Sequence, residues 1–242
     1  MANPQGKPIF YTEEGGRERD RAHAIYARLN FLKKDYQLVN RVPKGGVLAD
    51  IGCGDGAFLK RARMIRPDLK LTGVDLDNYL EFIPAERLDS FVKGDVEKGI
   101  PLASESVDYL HCCQVIEHLH TPSLLVKEIH RVLKKGGFAY LEAPAPITLF
   151  LPSFGTVGTF NFHDDATHVQ PYTKESFRKL ALQSGFGAKG IKVFTARSGF
   201  NLLFFPYTFI GFLCTGHNYY LQSLLQPILG TDAGGVFVKD KA

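Results

Sequence analysis

The stretch Asp50-Ile51-Gly52-Cys53-Gly54-Asp55-Gly56 places a carboxylate just ahead of three closely spaced glycines. Glycines at 52, 54 and 56 let a backbone turn sharply and approach a ligand without Cβ clashes. Two further acids, Asp75 and Asp95, follow at intervals expected of successive strand ends. Together, Asp50, Asp75 and Asp95 suit a ligand with a nucleoside at one end and a cationic, amine-bearing group at the other. The glycine spacing also fits the G-x-G-x-x-G/A pattern of dinucleotide sites, where Asp75 would again be the ribose-binding acid. Asp55 weighs against that fit, because a carboxylate inside the loop would repel a pyrophosphate.

A second constellation lies downstream. His163-Asp164-Asp165-Ala166-Thr167-His168 packs two histidines and two carboxylates into six positions, and His118 stands alone in Val115-Ile116-Glu117-His118-Leu119-His120. Histidine is the side chain best tuned to move protons near neutral pH. His118, His163 and His168 are therefore candidate bases, with Asp164 and Asp165 as orienting partners. Histidines and carboxylates are also competent metal ligands.

The elements that must hold these groups alternate in type. Val47–Ile51 reads as a buried strand, and a helix follows with Phe58, Leu59, Ala62 and Ile65 inward and Lys60, Arg61, Arg63 and Arg66 outward. LKLTGVD, SFVKGD and SVDYLHCC supply further strands, ending near Asp75, Asp95 and Cys113. Thr121-Pro122 is expected to open a helix, with threonine as its cap and proline in its first turn. That helix should present Leu125, Ile129, Val132 and Leu133 on one face and stop at Gly136-Gly137. GFAYLEA is a fifth strand, Thr173 caps the helix that Gly185 ends, GIKVFTARS is a sixth strand, and GGVFVKDKA reads as the last. Alternating strands and helices imply an α/β fold with a doubly wound, mostly parallel sheet and a ligand at the strands' C-terminal ends.

VLADIGCGDGAFL, TGVDLD, VKGDVEKGIPLASESVDYLHCCQVIEHL and LLVKEIHRVLKKGGFAYLEAP resemble, in order and spacing, the core of class I S-adenosylmethionine-dependent methyltransferases. The likeness covers roughly residues 45 to 196. It implies a Rossmann-like, three-layer α/β/α domain over 43–242, with seven strands and the last antiparallel; residues 1–42 read from their own pattern as an N-terminal helical cap. Within that cap, Ala22, Ile25, Tyr26 and Leu29 have helical spacing. The resemblance also implies S-adenosylmethionine as cofactor and S-adenosylhomocysteine as product. Asp50, Gly52, Cys53, Gly54 and Gly56 would receive the methionine moiety. Asp75 would hold the ribose hydroxyls, Leu76 would lie against the adenine, and Asp95 and Val96 would meet the adenine, Asp95 accepting from its amine. Gln114 and Val115 would border the methionine and the methyl group. Metal-dependent catechol-type members carry an acid at the end of the fourth strand; here that end reads Cys113-Gln114-Val115, so no metal is expected.

Between Pro144 and Tyr172 runs a long connection rich in proline, glycine and phenylalanine, leaving the fifth strand where the methyl donor would sit. Such connections are usually lids or binding loops. Residues 144–172 are expected to form a substrate lid, with Phe150, Phe154, Phe160 and Phe162 offering an apolar acceptor pocket. Of the histidines, His168 is the first choice of base, then His163 and His118. Residues 199–230 contain no Asp, Glu, Lys or Arg, yet Pro206, Gly211, Gly216 and His217-Asn218 interrupt them. A membrane span needs roughly 20 continuous apolar residues, so the stretch reads as an insertion that meets a membrane surface, the acceptor, or a second copy as a homodimer.

Bulk properties narrow the field. The chain has 242 residues, 45% hydrophobic and 22% charged, which is enough to bury a core and too apolar for general disorder. A net charge of +4 lacks the basic stripe of a nucleic-acid binder. Four cysteines, Cys53, Cys112, Cys113 and Cys214, show neither zinc nor disulfide-framework spacing, and no signal-peptide pattern opens the chain, so a reduced cytoplasmic setting is expected, peripheral to the membrane's inner face if 199–230 meets lipid. The function expected is O-methylation of a small-molecule or lipid-linked, glycan-type acceptor. Methylation of an amine nitrogen, a non-catalytic S-adenosylmethionine-binding partner and a dehydrogenase are the alternatives.

Overall fold

The computed structural model describes residues 34–77, 88–153, 161–196 and 228–241, with positions 206, 209, 210, 213 and 225. The helical spacing at Ala22–Leu29, the lid phenylalanines 154 and 160, and most of 199–230 lie outside these residues.

A short helix, α1 (Lys34–Val39), leads into β1 (Val47–Ile51), the glycine loop and α2 (Ala57–Ile65). The chain continues through β2 (Lys70–Asp75), β3 (Ser90–Lys93) and β4 (Val107–Cys113). Then come α3 (Pro122–Val132), β5 (Leu133–Pro144), α4 (Lys174–Gln183), β6 (Ile191–Ala196) and β7 (Asp232–Val238). The strands form one seven-stranded sheet in the order β3-β2-β1-β4-β5-β7-β6. β7 alone runs antiparallel to its neighbours β5 and β6; the other pairs are parallel. The order reverses between β1 and β4, which is where open α/β sheets of this kind bind ligands.

Side chains alternate along each strand, and both faces of the sheet are covered, which is why the central strands read as nearly continuous apolar runs. Ala49, Ile51, Leu110, Cys112, Ala139 and Leu141 pack with α3 and α4 on one face. Leu48, Tyr109, Phe138 and Tyr140 pack with α1 and α2 on the other. Leu125, Val126, Ile129 and Val132 of α3 are completely buried, each contributing on the order of 2 kcal/mol relative to exposure.

Two expectations about α3 are corrected. Thr121 stands at the N-cap position but its side chain caps nothing; the carboxylate of Glu97 instead accepts from the N–H groups of His120 and Thr121. The helix also ends at Val132 rather than at the glycine pair. Leu133 turns extended (φ −65°, ψ 135°) and pairs with Val107, while the next pairing joins Tyr109 to Phe138. Lys134 to Gly137 therefore form a bulge inside β5. A Cβ on Gly137 would sit 2.9 Å from the Lys134 carbonyl oxygen and 3.1 Å from those of Val107 and Asp108, so the pair allows strand contact rather than helix termination. Asp108 accepts from the Val47 N–H (2.8 Å) and from Lys134 Nζ (2.7 Å), tying the bulge to β1 and β4.

Thr173 caps α4 as expected: its hydroxyl accepts from the Ser176 N–H at 3.1 Å, and Ser176 reciprocates. No helix among the described residues is long and apolar enough to cross a membrane. Within 199–230, Phe209, Ile210 and Leu213 are exposed.

Candidate functional site

Backbone geometry makes the glycine loop. Gly52, Gly54 and Gly56 have φ of 70°, 51° and 72°, in the left-handed region that side chains disfavour. At Gly52 the space is also closed, since a Cβ there would lie 2.3 Å from Val115 Cγ2. The loop is held against β2: the N–H groups of Gly52 and Cys53 both donate to the Val74 carbonyl, at 2.8 and 3.2 Å. Cys53 is a loop residue whose side chain turns inward. Its Sγ packs over Gly73, and burial pushes the thiol's pKa well up. Asp55 Oδ1 accepts from the Ala57 N–H (3.2 Å), so a carboxylate stands at the start of α2, where a diphosphate would need room.

The acids at the strand ends differ in setting. Asp75 closes β2 and accepts from the Gly54 N–H at 2.8 Å and the Asp77 N–H at 3.3 Å, which locks it to the glycine loop. Burial raises its pKa, opposed by those backbone donors. Leu76 beside it is 59% exposed. Asp95 follows β3 by two residues, accepts from Glu97 N–H (3.0 Å) and pairs with Lys98 (2.9 Å), which lowers its pKa. Val96 is partly buried against the core.

Asp50 has a partner that sequence reasoning missed. It is 3% exposed, and its Oδ1 lies 2.7 Å from His111 Nδ1. The imidazole is stacked on Phe58 (3.6 Å between centroids) with Tyr140 on its other side (5.8 Å), and its Nε2 lies 3.1 Å from Cys113 Sγ. Asp50 and His111 are directly paired across β1 and β4. Two inward polar residues facing each other across neighbouring strands were the signal that could have revealed the pair.

Gln114, at the end of β4, takes an unusual backbone turn for a non-glycine residue (φ 55°), its amide nitrogen 3.2 Å from Asp232 Oδ1. That turn aims Val115 at Gly52 and leads into a short 3₁₀ turn, Ile116–His118. Over it lies the last part of the 144–172 connection. The Val169 N–H donates to the Glu117 carbonyl (2.7 Å), Tyr172 OH to the Ile116 carbonyl (3.2 Å), and the Tyr172 N–H to the Pro144 carbonyl (2.8 Å).

This strap brings His118 and His168 together, with ring centroids 4.8 Å apart. Their tautomers follow from their partners. His168 Nδ1 meets the Phe162 carbonyl at 2.7 Å and must donate to it. His118 Nδ1 lies 2.8 Å from Thr167 Oγ1, whose own proton goes to Asp165, so this nitrogen also donates. Nε2 is left as the working atom on each ring. Desolvation lowers the His118 pKa, with help from His168.

His163 does not join them. It is exposed and packs edge-on against Phe162, 5.6 Å between ring centroids. Asp165 reaches His118 through the Thr167 hydroxyl. Asp164 instead closes a small capping box with Asn161. Phe162, expected in an acceptor pocket, is buried beneath His168, whereas Phe150 is 85% exposed.

Sequence reasoning passed over Glu117. It is fully buried, and neither carboxylate oxygen has a hydrogen-bond partner among the described residues. Burial, reinforced by the charges of Asp232, Asp165 and Glu142, pushes its pKa up to about 8. One ligand atom from each of Glu117, His118 and His168 lies within 4.8 Å of the other two. A charged residue set between the buried Ile116 and Leu119 was the available sign. A cleft of ≈ 240 Å³ opens nearby, lined by Ala145, Ile147, Tyr172, Glu175, Thr195 and Ala233 among others.

The family described as "Methyltransferase domain" matches residues 49–141. A malonyl-[acyl-carrier protein] O-methyltransferase of Laribacter hongkongensis is 30% identical over 187 residues, covering 67% of this chain and 60% of that protein. A ubiquinone biosynthesis O-methyltransferase of Xanthomonas axonopodis pv. citri is 30% identical over 122 residues, covering 47% and 49%. The chain thus spans about half to three-fifths of the length of these relatives. Among solved structures, phosphoethanolamine N-methyltransferase 2 of Haemonchus contortus in complex with S-adenosyl-L-methionine has a TM-score of 0.60 at 19% identity, over 86% of this chain and 53% of that one. A putative methyltransferase complexed with the Haloferax volcanii Trm112 activator has a TM-score of 0.62 at 15% identity, over 96% of both chains. These two likenesses show the fold.

Proposed function

Because the chain belongs to the class I S-adenosylmethionine-dependent methyltransferase superfamily, we propose that it methylates an oxygen of a small-molecule or lipid-linked acceptor. The acceptor would lie between the glycine loop and the His118–His168 pair. In this reading the loop Gly52–Gly56 receives the methionine end, with Asp50 held behind it by His111. Asp75 binds the ribose hydroxyls, Leu76 and Val96 flank the adenine, and Asp95 accepts from its amine. Gln114 and Val115 border the reactive methyl.

Methyl transfer from a sulfonium is an in-line displacement. The acceptor oxygen forms a bond to the methyl carbon as the carbon–sulfur bond breaks, leaving neutral S-adenosylhomocysteine. Alignment supplies most of the acceleration, on the order of 7–11 kcal/mol for well-held reactants. A hydroxyl must also lose its proton, and a nitrogen acceptor that is already neutral need not. The observation that carries the oxygen reading is therefore the imidazole pair, with both Nδ1 positions committed to fixed acceptors. The O-methyltransferase names of the relatives agree with it. Exposed Phe150, Phe209, Ile210 and Leu213 support an acceptor with an apolar portion.

The test begins with calorimetry: the protein should bind S-adenosylhomocysteine and ignore nicotinamide dinucleotides, and the reverse would refute the reading. Incubation with methyl-labelled S-adenosylmethionine and a panel of hydroxylated and amine acceptors should then label oxygen. His168→Ala should lower turnover by about 10²–10⁴-fold while S-adenosylhomocysteine affinity stays within twofold. Label found only on amines, with full activity in the variant, would shift the assignment to nitrogen.

A further inference from the structure

The placement of Glu117 raises a question that proton transfer alone does not answer. A carboxylate is normally buried only with partners, since an unpaired one costs several kcal/mol. Here both oxygens lack one among the described residues, and they sit beside two imidazoles. From this geometry we infer that Glu117, His118 and His168 form a binding site for a divalent transition-metal ion, with zinc the best match.

The donor set fits. Two imidazole nitrogens and one carboxylate oxygen suit Zn²⁺, Co²⁺ or Mn²⁺ better than Mg²⁺ or Ca²⁺, which prefer all-oxygen sites. The outer contacts fit as well. Histidine ligands usually donate their other ring nitrogen to a carbonyl or, through a short relay, to a carboxylate. His168 donates to the Phe162 carbonyl, and His118 donates to Thr167, which donates to Asp165. Both Nε2 lone pairs are thereby presented. Bonds of about 2.0–2.1 Å in tetrahedral array put ligand atoms roughly 3.3 Å apart. One ligand atom from each of the three residues lies within 4.8 Å of the other two, so closure on an ion takes about 1.5 Å of side-chain movement. Asp165, Asp232 and Glu142 add negative charge around Glu117. The sequence led to the expectation of no metal, and this trio is not the His163–His168 cluster weighed there, since His163 lies apart from it.

Three protein ligands leave one position open. The inference rests on the reading of this pair as the acceptor side of the methyl-transfer site, and it names how that side works. The acceptor hydroxyl takes the open position, loses its proton to solvent water because the cation stabilises the alkoxide, and attacks the methyl carbon as the carbon–sulfur bond breaks. His118 and His168 then serve as ligands, and loss of His168 costs turnover by loss of the ion.

The experiment uses Co²⁺ and Zn²⁺ on chelator-stripped protein. One equivalent should bind, Co²⁺ giving visible bands of a nitrogen- and oxygen-ligated ion without thiolate charge-transfer absorption. Glu117→Gln and His168→Gln should each weaken Co²⁺ at least about tenfold, and Thr167→Val, at an exposed position, by about 10–100-fold through release of His118. Absence of stoichiometric binding, thiolate bands from Cys53, Cys112 or Cys113, or undiminished affinity in Glu117→Gln would overturn the site. Calorimetry with S-adenosylhomocysteine separates the two levels. Methyl transfer that survives chelation in a protein that binds no ion sinks the metal site and spares the methyltransferase reading. Tight Co²⁺ binding without S-adenosylhomocysteine binding supports the ion site and sinks the parent reading.

Discussion

Replacing Glu117 by glutamine removes a charge and almost nothing else, which makes it an unusually clean perturbation. In metal-free protein the carboxyl is fully buried, and its pKa rises from 4.5 to about 8. Between those values the native state holds a proton that the unfolded chain has released. Stability therefore falls as pH rises through this window, opposite to the usual behaviour of a salt-bridged acid. The full difference corresponds to about 5 kcal/mol; at pH 8 the native group is half ionised, and the loss between pH 5 and pH 8 comes to about 3–4 kcal/mol. Glutamine occupies the same volume and stays neutral, so Glu117→Gln should match wild type at pH 5 and exceed it at pH 8. Urea unfolding in excess EDTA reads this directly. With slopes of about 1–3 kcal/mol per molar urea, the wild-type midpoint should drop relative to the variant by at least about 1 M across the range. Zinc supplied at pH 8 in place of the chelator should stabilise wild type, and stabilise the variant less, by at least about 1.4 kcal/mol for a tenfold loss of affinity. Parallel pH dependences for the two proteins would refute the reasoning, because they would mean that Glu117 ionises in the native fold at no cost.

The other predictions are shorter. Asp75→Ala removes the group bonded to Gly54 and should weaken S-adenosylhomocysteine by at least about 100-fold, roughly two lost charge-assisted hydrogen bonds; unchanged calorimetric affinity would move the ribose site elsewhere. Gly52→Ala, with a Cβ 2.3 Å from Val115 Cγ2, should abolish cofactor binding. Adding Val115→Ala should recover only part of it, because the left-handed backbone cost remains. Thr173→Ala should cost about 1 kcal/mol of stability through the lost cap, read by chemical denaturation. If 199–230 meets lipid, wild type should float with anionic liposomes and Ile210→Asp/Leu213→Asp should not; a wild type that stays wholly in the aqueous fraction counts against lipid contact.

The fold was legible because period and punctuation agreed. Strands covered on both faces read as apolar runs, the glycine loop marked the first crossover, and Thr173 and Gly185 bracketed their helix. The reading slipped at Gly136-Gly137, where a glycine pair behind a helix looks like a stop but serves a strand bulge; pairing partners distant in sequence decide between the two. The acids proposed for the cofactor side were placed for a related reason, since they sit at or just beyond strand ends that the alternation locates. The acceptor side was less legible. His118 and His168 are fifty positions apart, and only the main-chain bonds of the 168–172 strap bring them together. Glu117 escaped because burial, a tertiary property, is what makes it unusual. The Asp50–His111 pair escaped because strand register cannot be read from either strand alone.

That strap has a consequence for how the protein could diversify. His168 is seated by backbone hydrogen bonds from Val169 and Tyr172 to Glu117 and Pro144, and by a backbone carbonyl at Phe162. None of these bonds depends on the identity of a side chain in the outer part of the lid. Exposed positions ahead of the strap, such as Ile147 and Phe150, can therefore be changed for a different acceptor while the strap keeps its seat. On the proposed reading, acceptor contacts and reacting groups occupy adjoining lengths of one connection, so exchanging residues 146–150 between relatives should change what is methylated before it changes how.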